Sequence, residues 1–172
     1  MPRLAIVLCA VLAAGLAITA PASTAGKSTQ RDTSLESGIV SALNAVRAKH
    51  GLRPLSVSTD LRAAAIFHTR TMATRGLFQH ESADGSPFDR RVMRFYGDRG
   101  AGWQVGENLV FGSAPFEADD AVEAWLKSPP HRRILLGSGW REVGIGAVTA
   151  VRAPGAFGGN TVVIVTADFG RH

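Results

Sequence analysis

Cysteine is nearly missing. The 172 residues hold one, Cys9, so no intrachain disulfide can form and no cysteine-rich metal module is encoded. Runs of Lys or Arg are missing too. Arg53, Arg62, Arg75, Arg90, Arg99 and Arg141 are scattered, without interleaved aromatics, although Lys and Arg outnumber Asp and Glu by 19 to 14. That pattern gives no nucleic-acid surface. The net charge of +5 reads as a solvated surface that an anionic envelope polymer or lipid surface would attract. There is no Gly-x-Ser-x-Gly elbow and no His-Glu-x-x-His, and Gly144-Ile145-Gly146 lacks a phosphate-loop lysine. Three common catalytic or nucleotide-binding signatures are thereby excluded. The 19 Gly and 8 Pro follow no triplet period, so the chain is not collagen-like. With 45% hydrophobic and 19% charged residues it is globular in composition, long enough for one domain with its own core.

The first 25 residues read differently from the rest. Arg3 precedes an apolar run from Leu4 to Ile18, followed by Ala20-Pro21-Ala22 and Ser23-Thr24-Ala25. These are the parts of a secretory signal peptide over residues 1–25, too short and without the flank of a membrane span. Cys9 follows Leu8 inside the apolar run, which argues against lipidation. Cleavage would leave no cysteine nucleophile, no transmembrane segment, and a chain held together by packing alone. Residues 26–33 are polar and predict a flexible leader. A single domain is expected over 34–172.

Leu35, Ile39, Val40, Leu43 and Val46 recur at helical spacing, with Ser34 as the expected N-cap and Gly51 at the end. Asn44 and Arg47 would fix this helix to a neighbouring loop. A second helix is expected over 59–75, capped by Ser58, Thr59 or Asp60 and stopped by Gly76, with Leu61, Ala65, His68 and Met72 on one face. His68 is read as a hydrogen-bonded core residue. Asp84-Gly85 marks a turn, Pro87 opens a short helix through Arg94, and residues 97–102 form a loop. A third long helix is expected over 115–127, with Glu117, Asp119 and Asp120 at its start; Pro129-Pro130 ends it and a short helix restarts at His131. Val143, Ile145 and Ala147 then alternate as in a strand, and Thr161 to Ala167 reads as a strand buried on both faces. Residues 154–160 would join the two as a hairpin. Helices first and strands last predict an α+β fold with an antiparallel sheet.

His80, Glu107, His131 and Glu142 stand beside apolar anchors in expected loops or at element edges, separated by 27, 24 and 11 residues. Two imidazoles and two carboxylates suit Zn²⁺ or a similar divalent cation, and equally a general acid/base pair. On composition alone they are ordinary polar residues, because only a fold can bring them together.

Taken in order, the motifs do more. They are Leu43-Asn44-Ala45-Val46-Arg47 before Gly51-Leu52-Arg53-Pro54-Leu55, and Phe78-Gln79-His80 before Gly85-Ser86-Pro87-Phe88-Asp89-Arg90. Then follow Gly106-Glu107-Asn108-Leu109, Trp125-Leu126-Lys127-Ser128-Pro129-Pro130-His131-Arg132, Trp140-Arg141-Glu142-Val143-Gly144-Ile145-Gly146 and Asp168-Phe169-Gly170. From about Leu35 to Gly170 the chain resembles a CAP domain, also called the SCP or pathogenesis-related-1 domain, in its short disulfide-free bacterial form. The resemblance implies an α-β-α sandwich, with a small antiparallel sheet between helices and a large open cleft. It implies that His80 and His131 are the two cleft histidines, binding Zn²⁺ in some members, and that Glu107 is the Glu of the Gly-Glu-Asn-Leu motif. Many eukaryotic members carry a Glu three residues after the Trp matching Trp125; here that residue is Ser128, and Glu142 would supply the second carboxylate instead. Glu107 must then be solvated or paired, with a cleft histidine as its natural partner and itself as that imidazole's orienting group. Asn108 would satisfy loop backbone, and Arg132 would anchor a helix start.

Three functions follow from this reading. The first is a secreted, non-enzymatic module at the cell envelope or outside it, whose cleft takes a divalent metal and an extended ligand: an envelope polymer, a lipid or a protein. The second is a metal-dependent, peptidase-like hydrolase with Glu107 as base toward a metal-bound water. The third is a lipid or sterol carrier with Phe88, Met93, Phe95, Tyr96 and Phe111 lining an apolar pocket, although aromatics at these spacings also suit a core.

Overall fold

A computed structural model describes residues 27–97 and 102–172. The expected signal peptide with Cys9, and residues 98–101 of the expected loop, lie outside the described residues.

The first long helix, α1, is Thr33–Lys49. Leu35, Ile39 and Leu43 recur every fourth residue and are all buried. Asp32, not Ser34, is the N-cap: its Oδ1 accepts from Leu35 N–H at 2.9 Å. Ser34 instead donates its hydroxyl to Asp32 at 2.7 Å. Gly51 follows the helix at φ +67°, as its left-handed position requires. Asn44 and Arg47 do tie the helix to its surroundings. Asn44 Nδ2 donates to Leu55 O and its Oδ1 accepts from Leu55 N–H, at 3.0 and 2.8 Å. The fully buried Arg47 donates to the carbonyls of Arg53, Leu135 and Gly137.

The second helix, α2, is Thr59–Arg75, capped by Ser58 and ended by Gly76 at φ +71°. A short helix, α3 (Phe88–Met93), follows Pro87. After the loop come α4 (Ala118–Lys127) and α5 (Pro129–Leu135). α4 starts three residues later than expected: the Asp120 carboxylate accepts from Glu117 N–H at 2.8 Å and fixes the first turn there. α5 starts two residues earlier than expected, because Pro129 and Pro130 occupy the first helical positions, where a missing N–H costs nothing.

Five strands form one sheet: β1 (Ser28–Arg31), β2 (Ser56–Val57), β3 (Gln104–Ser113), β4 (Glu142–Val151) and β5 (Val162–Arg171). The order is β1-β4-β5-β3, antiparallel throughout, with β2 added parallel to β4 beside β1. Two expectations change here. The polar stretch predicted as a flexible leader instead gives β1, whose polar side chains suit an exposed edge strand. Residues 104–113, without a strand signal because Gly106, Glu107 and Asn108 break the apolar pattern, are the ten-residue strand β3 at the opposite edge.

Strand alternation sends side chains to two layers. Val163, Val165, Ala167 and Phe169 of β5 pack with α1 and α4; Val162 and Ile164 pack with Met72 and Ala73 of α2. α2 lies almost directly on β4. A Cβ on Gly146 would sit 2.6 Å from Ala65 backbone, and one on Gly144 would collide with Arg62. These glycines set the close approach. The result is an α-β-α sandwich, with β3 as the free edge where loops from both helical layers meet.

Candidate functional site

The site is built around β3. Because Asp168 directs its peptide groups to β4, its pairing with Glu107 is one without mutual hydrogen bonds. Side chains approach closely in such pairs, here on the α2 side of the sheet. Glu107 is thus mid-strand, not in a loop, and its side chain has no exposed surface.

A buried carboxylate needs partners, and two are present. His80 Nδ1–H donates to Glu107 Oε1 at 2.8 Å. Arg91, also fully buried, pairs through Nη2 with Glu107 Oε2 and donates through Nη1 to the His80 carbonyl at 2.9 Å. One guanidinium therefore fixes both the carboxylate and the backbone of the histidine it orients. The α2 residue His68 steadies the same loop: Nε2–H donates to Gln79 O at 2.9 Å. Burial holds the His68 pKa below the usual imidazole range, consistent with a neutral structural ring.

His80 is half exposed, its side chain 48% accessible. Its hydrogen bond to Glu107 raises its pKa, against the opposing effect of burial. With Nδ1 committed to Glu107, Nε2 is the ring nitrogen not engaged by that bond. His131 stands near the start of α5, on the other side of β3, where Asn108 Nδ2 donates to the His131 carbonyl at 3.0 Å. Its pKa is lowered, first by burial and then by the charge of His80, so the two imidazoles are electrostatically in range. The edge strand carries both: Glu107 toward one histidine, Asn108 toward the other.

The model of the cysteine-rich secretory protein family, CAP, matches residues 40–166. The chain belongs to that family. Two Bacillus subtilis proteins are similar to it in sequence. YkwD, an uncharacterized protein, is 33% identical over 114 residues, which cover 66% of this chain and 42% of YkwD. YlbC, an uncharacterized membrane protein, is 34% identical over 115 residues, 66% of this chain and 32% of YlbC. The chain thus spans less than half the length of either relative. Among solved structures, an outer surface protein of Borrelia burgdorferi superposes with a TM-score of 0.67 at 18% identity, over 84% of this chain and 99% of that one. An extracellular SCP-domain protein of Bacillus anthracis gives 0.63 at 22% identity, over 81% and 41%. These likenesses carry the fold.

Within this CAP domain the four expected site residues do not all converge. His80 and Glu107 are bonded, and His131 is close enough to feel His80's charge. Glu142 is elsewhere. It pairs with Gly170 at the start of β4, two residues along and one strand beyond the Glu107–Asp168 pair. Its Oε2 accepts from the Tyr96 hydroxyl at 2.5 Å and lies 3.9 Å from His172 Nε2. Asp168 is the second carboxyl beside Glu107, reached by register rather than by sequence proximity. It is fully buried, and neither of its oxygens has a donor among the described residues. Burial, then the Glu107 charge, pushes its pKa well above the usual carboxyl range, with Arg91 opposing. A carboxyl that keeps its proton can donate, and the Glu107 carboxylate across the strand pair is the acceptor in reach.

Arg91 and Asp168 both escape sequence reasoning. Arg91 lies in an arginine-rich helix beside the exposed Arg90, and Asp168 in a family motif with no role attached. The aromatic residues expected in one apolar pocket separate into two groups. Phe88, Phe95 and Tyr96 pack at the α2–α3 core, whereas Phe111 meets Phe78 and Phe157, and Met93 is exposed. Among the described residues, the Arg132 side chain makes an exposed 3.4 Å contact with His50.

Proposed function

We propose that the protein is an extracellular binding module whose β3-edge cleft takes a ligand through the Nε2 of His80, in company with His131. The observation that carries this reading is the fixed tautomer of His80: Nδ1 is held by a fully buried, arginine-backed Glu107 at 2.8 Å. A carboxylate behind an imidazole orients it for a metal and raises its basicity. The donor set fits a divalent cation of the zinc type held by two imidazoles. Among the described residues no three His, Cys, Asp or Glu side chains gather as a closed cage, so further ligands would come from solvent or from the bound molecule. When bound, such an ion supplies Lewis acidity. The chain's own part is to orient His80, keep Glu107 paired and hold the loop through Arg91 and His68.

A hydrolase with Glu107 as base is disfavoured by the same geometry. Both Glu107 oxygens are engaged and its side chain is closed to solvent, so no water reaches it. A carrier with one aromatic pocket is disfavoured by the separation of the five residues. Secretion rests on the signal-like residues 1–25. The described residues contain no helix long and apolar enough to cross a membrane.

Calorimetric titration of Zn²⁺ into chelator-stripped protein, beside a His80→Ala, His131→Ala variant, tests the reading. Binding to the first and not the second is expected. Equal binding to both, or to neither, removes the metal from the proposal.

A further inference from the structure

Arginines that are scattered along the sequence are gathered by the fold. No acidic residue stands between Glu36 and Asp60, and none between Glu123 and Glu142. The first of these stretches carries Arg47, Lys49, His50 and Arg53; the second carries Lys127, His131, Arg132, Arg133 and Arg141. The first runs through α1 to β2, the second from the end of α4 through α5 to β4. Buried Arg47 ties them together. Its three carbonyl acceptors belong to Arg53, Leu135 and Gly137, so one guanidinium draws the loop after α1 to the end of α5. Ser56 N–H donates to Arg141 O at 3.1 Å, which joins the same loop to the segment before β4. On the outside, Arg132 Nη2 meets His50 Nε2 at 3.4 Å. His50 Nδ1–H donates to Val46 O at 2.9 Å, which leaves Nε2 as the accepting nitrogen.

Arg141 is held by the carbonyls of Ser138, Gly139 and Trp140. Burial first, and then the charge of Arg141, lowers the Arg47 pKa, so the two guanidinium groups are neighbours. Lys49, Arg53, Arg132, Arg133 and Arg141 are all exposed. Among the described residues no carboxylate pairs with any of them, whereas Lys127 is answered by Glu123 at 2.9 Å. Unanswered positive charge therefore collects where the end of α1 adjoins α5, and an anion there relieves the mutual repulsion. Four of the five cations are arginines, whose planar fork suits phosphate. Of the exposed large apolar side chains, Val57 alone comes from these stretches. A lipid surface takes a whole apolar face, not one valine. The aromatics of these stretches are Trp125, which is buried, and Trp140, which packs on Phe169, so the face has no platform for stacking bases.

We propose that this face binds a linear polyanion through its phosphate groups, as a phosphodiester or polyphosphate chain without bases presents them. Arg132 and Arg133 of α5 take some of the phosphates, and Lys49 and Arg53 beside the end of α1 take others, in charge-assisted bonds. The site uses neither His80 nor His131, so its fate does not depend on the metal reading.

The test is fluorescence anisotropy of an end-labelled linear polyphosphate titrated with the protein. If each cation displaces counterions as on a single strand, log K falls against log salt with a slope of about −3.5. Affinity should therefore drop about a hundredfold between about 50 and about 200 mM salt. Arg132→Gln combined with Arg133→Gln should reduce that slope by about 1.4 and weaken binding at least about tenfold at the lower salt. Arg70→Gln combined with Arg75→Gln removes the same charge from the exposed side of α2, in the other helical layer, and should leave slope and affinity unchanged. All four side chains are exposed, and matching thermal melts show that both variants fold. At equal phosphate, vesicles of anionic phospholipid and single-stranded DNA should bind no tighter than polyphosphate. No binding at the lower salt, an equal loss in the two double variants, or tighter binding to the vesicles or the DNA overturns the proposal.

Discussion

Among the described residues, replacing Arg91 by Met removes the one cation paired with the buried Glu107 carboxylate besides His80. Arg91 and Glu107 are both fully buried in side chain, and Arg91 also holds the His80 carbonyl at 2.9 Å. Removing one partner of a buried ion pair costs about 3–5 kcal/mol, because the other charge stays in the interior. The Arg91 Nε has no partner among the described residues to lose, which places the cost toward the lower end. At roughly 2–4 °C per kcal/mol for a chain of this size, Tm should fall by about 10 °C. Urea denaturation at pH 7, followed by the fluorescence of the three tryptophans, gives the free energy. Adding Glu107→Gln should recover part of it, since no carboxylate then remains stranded, with a coupling of about 1–3 kcal/mol between the two changes. A loss under about 1 kcal/mol for Arg91→Met, or simple additivity in the double variant, would refute this account of the buried cluster.

Other outcomes follow from the same contacts. The raised pKa of Asp168 means that it keeps its proton in the folded state after the unfolded chain has lost it. Stability therefore falls as pH rises above about 4, and Asp168→Asn should flatten that fall in a pH series of melts. For His80, whose pKa is also raised, the pairing with Glu107 is fully present below the unfolded value of about 6.5 and weakens as pH climbs through the folded value. Metal binding needs the neutral ring. As pH falls, Zn²⁺ affinity should therefore begin to drop at a higher pH than for an unpaired imidazole, and Glu107→Gln should move that drop downward. Gly146→Ala places a methyl 2.6 Å from α2 backbone and should cost about 1–3 kcal/mol in urea melts; a neutral effect would show that α2 can lift off β4.

Helix α2 is readable to the residue, because Ser58, the apolar face and Gly76 all agree. The paired strands β4 and β5 are readable from alternation and a β-branched run. β3 is not, because its centre is polar for reasons that lie outside the strand: Glu107 needs Arg91 and His80, and Asn108 needs the carbonyl of His131. Edge strand β1 escapes for the converse reason. Its side chains are polar because they are exposed, and polarity alone does not separate an edge strand from a flexible leader. His80 and Glu107 are recognisable through motifs, but the partners that make them a unit come from distant elements. Asp168 reaches Glu107 only through the register of β3 on β5. Glu142 has a suitable side chain in a suitable motif, yet it lies at a different row of the sheet, bonded to Tyr96.

The central claim is that Glu107 fixes the His80 ring with Nδ1 protonated and Nε2 open. Long-range ¹H–¹⁵N NMR of the imidazole in metal-free protein, above its titration range, reads the tautomer directly. The account predicts a single Nδ1–H form for His80, lost in Glu107→Gln. An Nε2–H form, or rapid averaging between the two in the native protein, would contradict it.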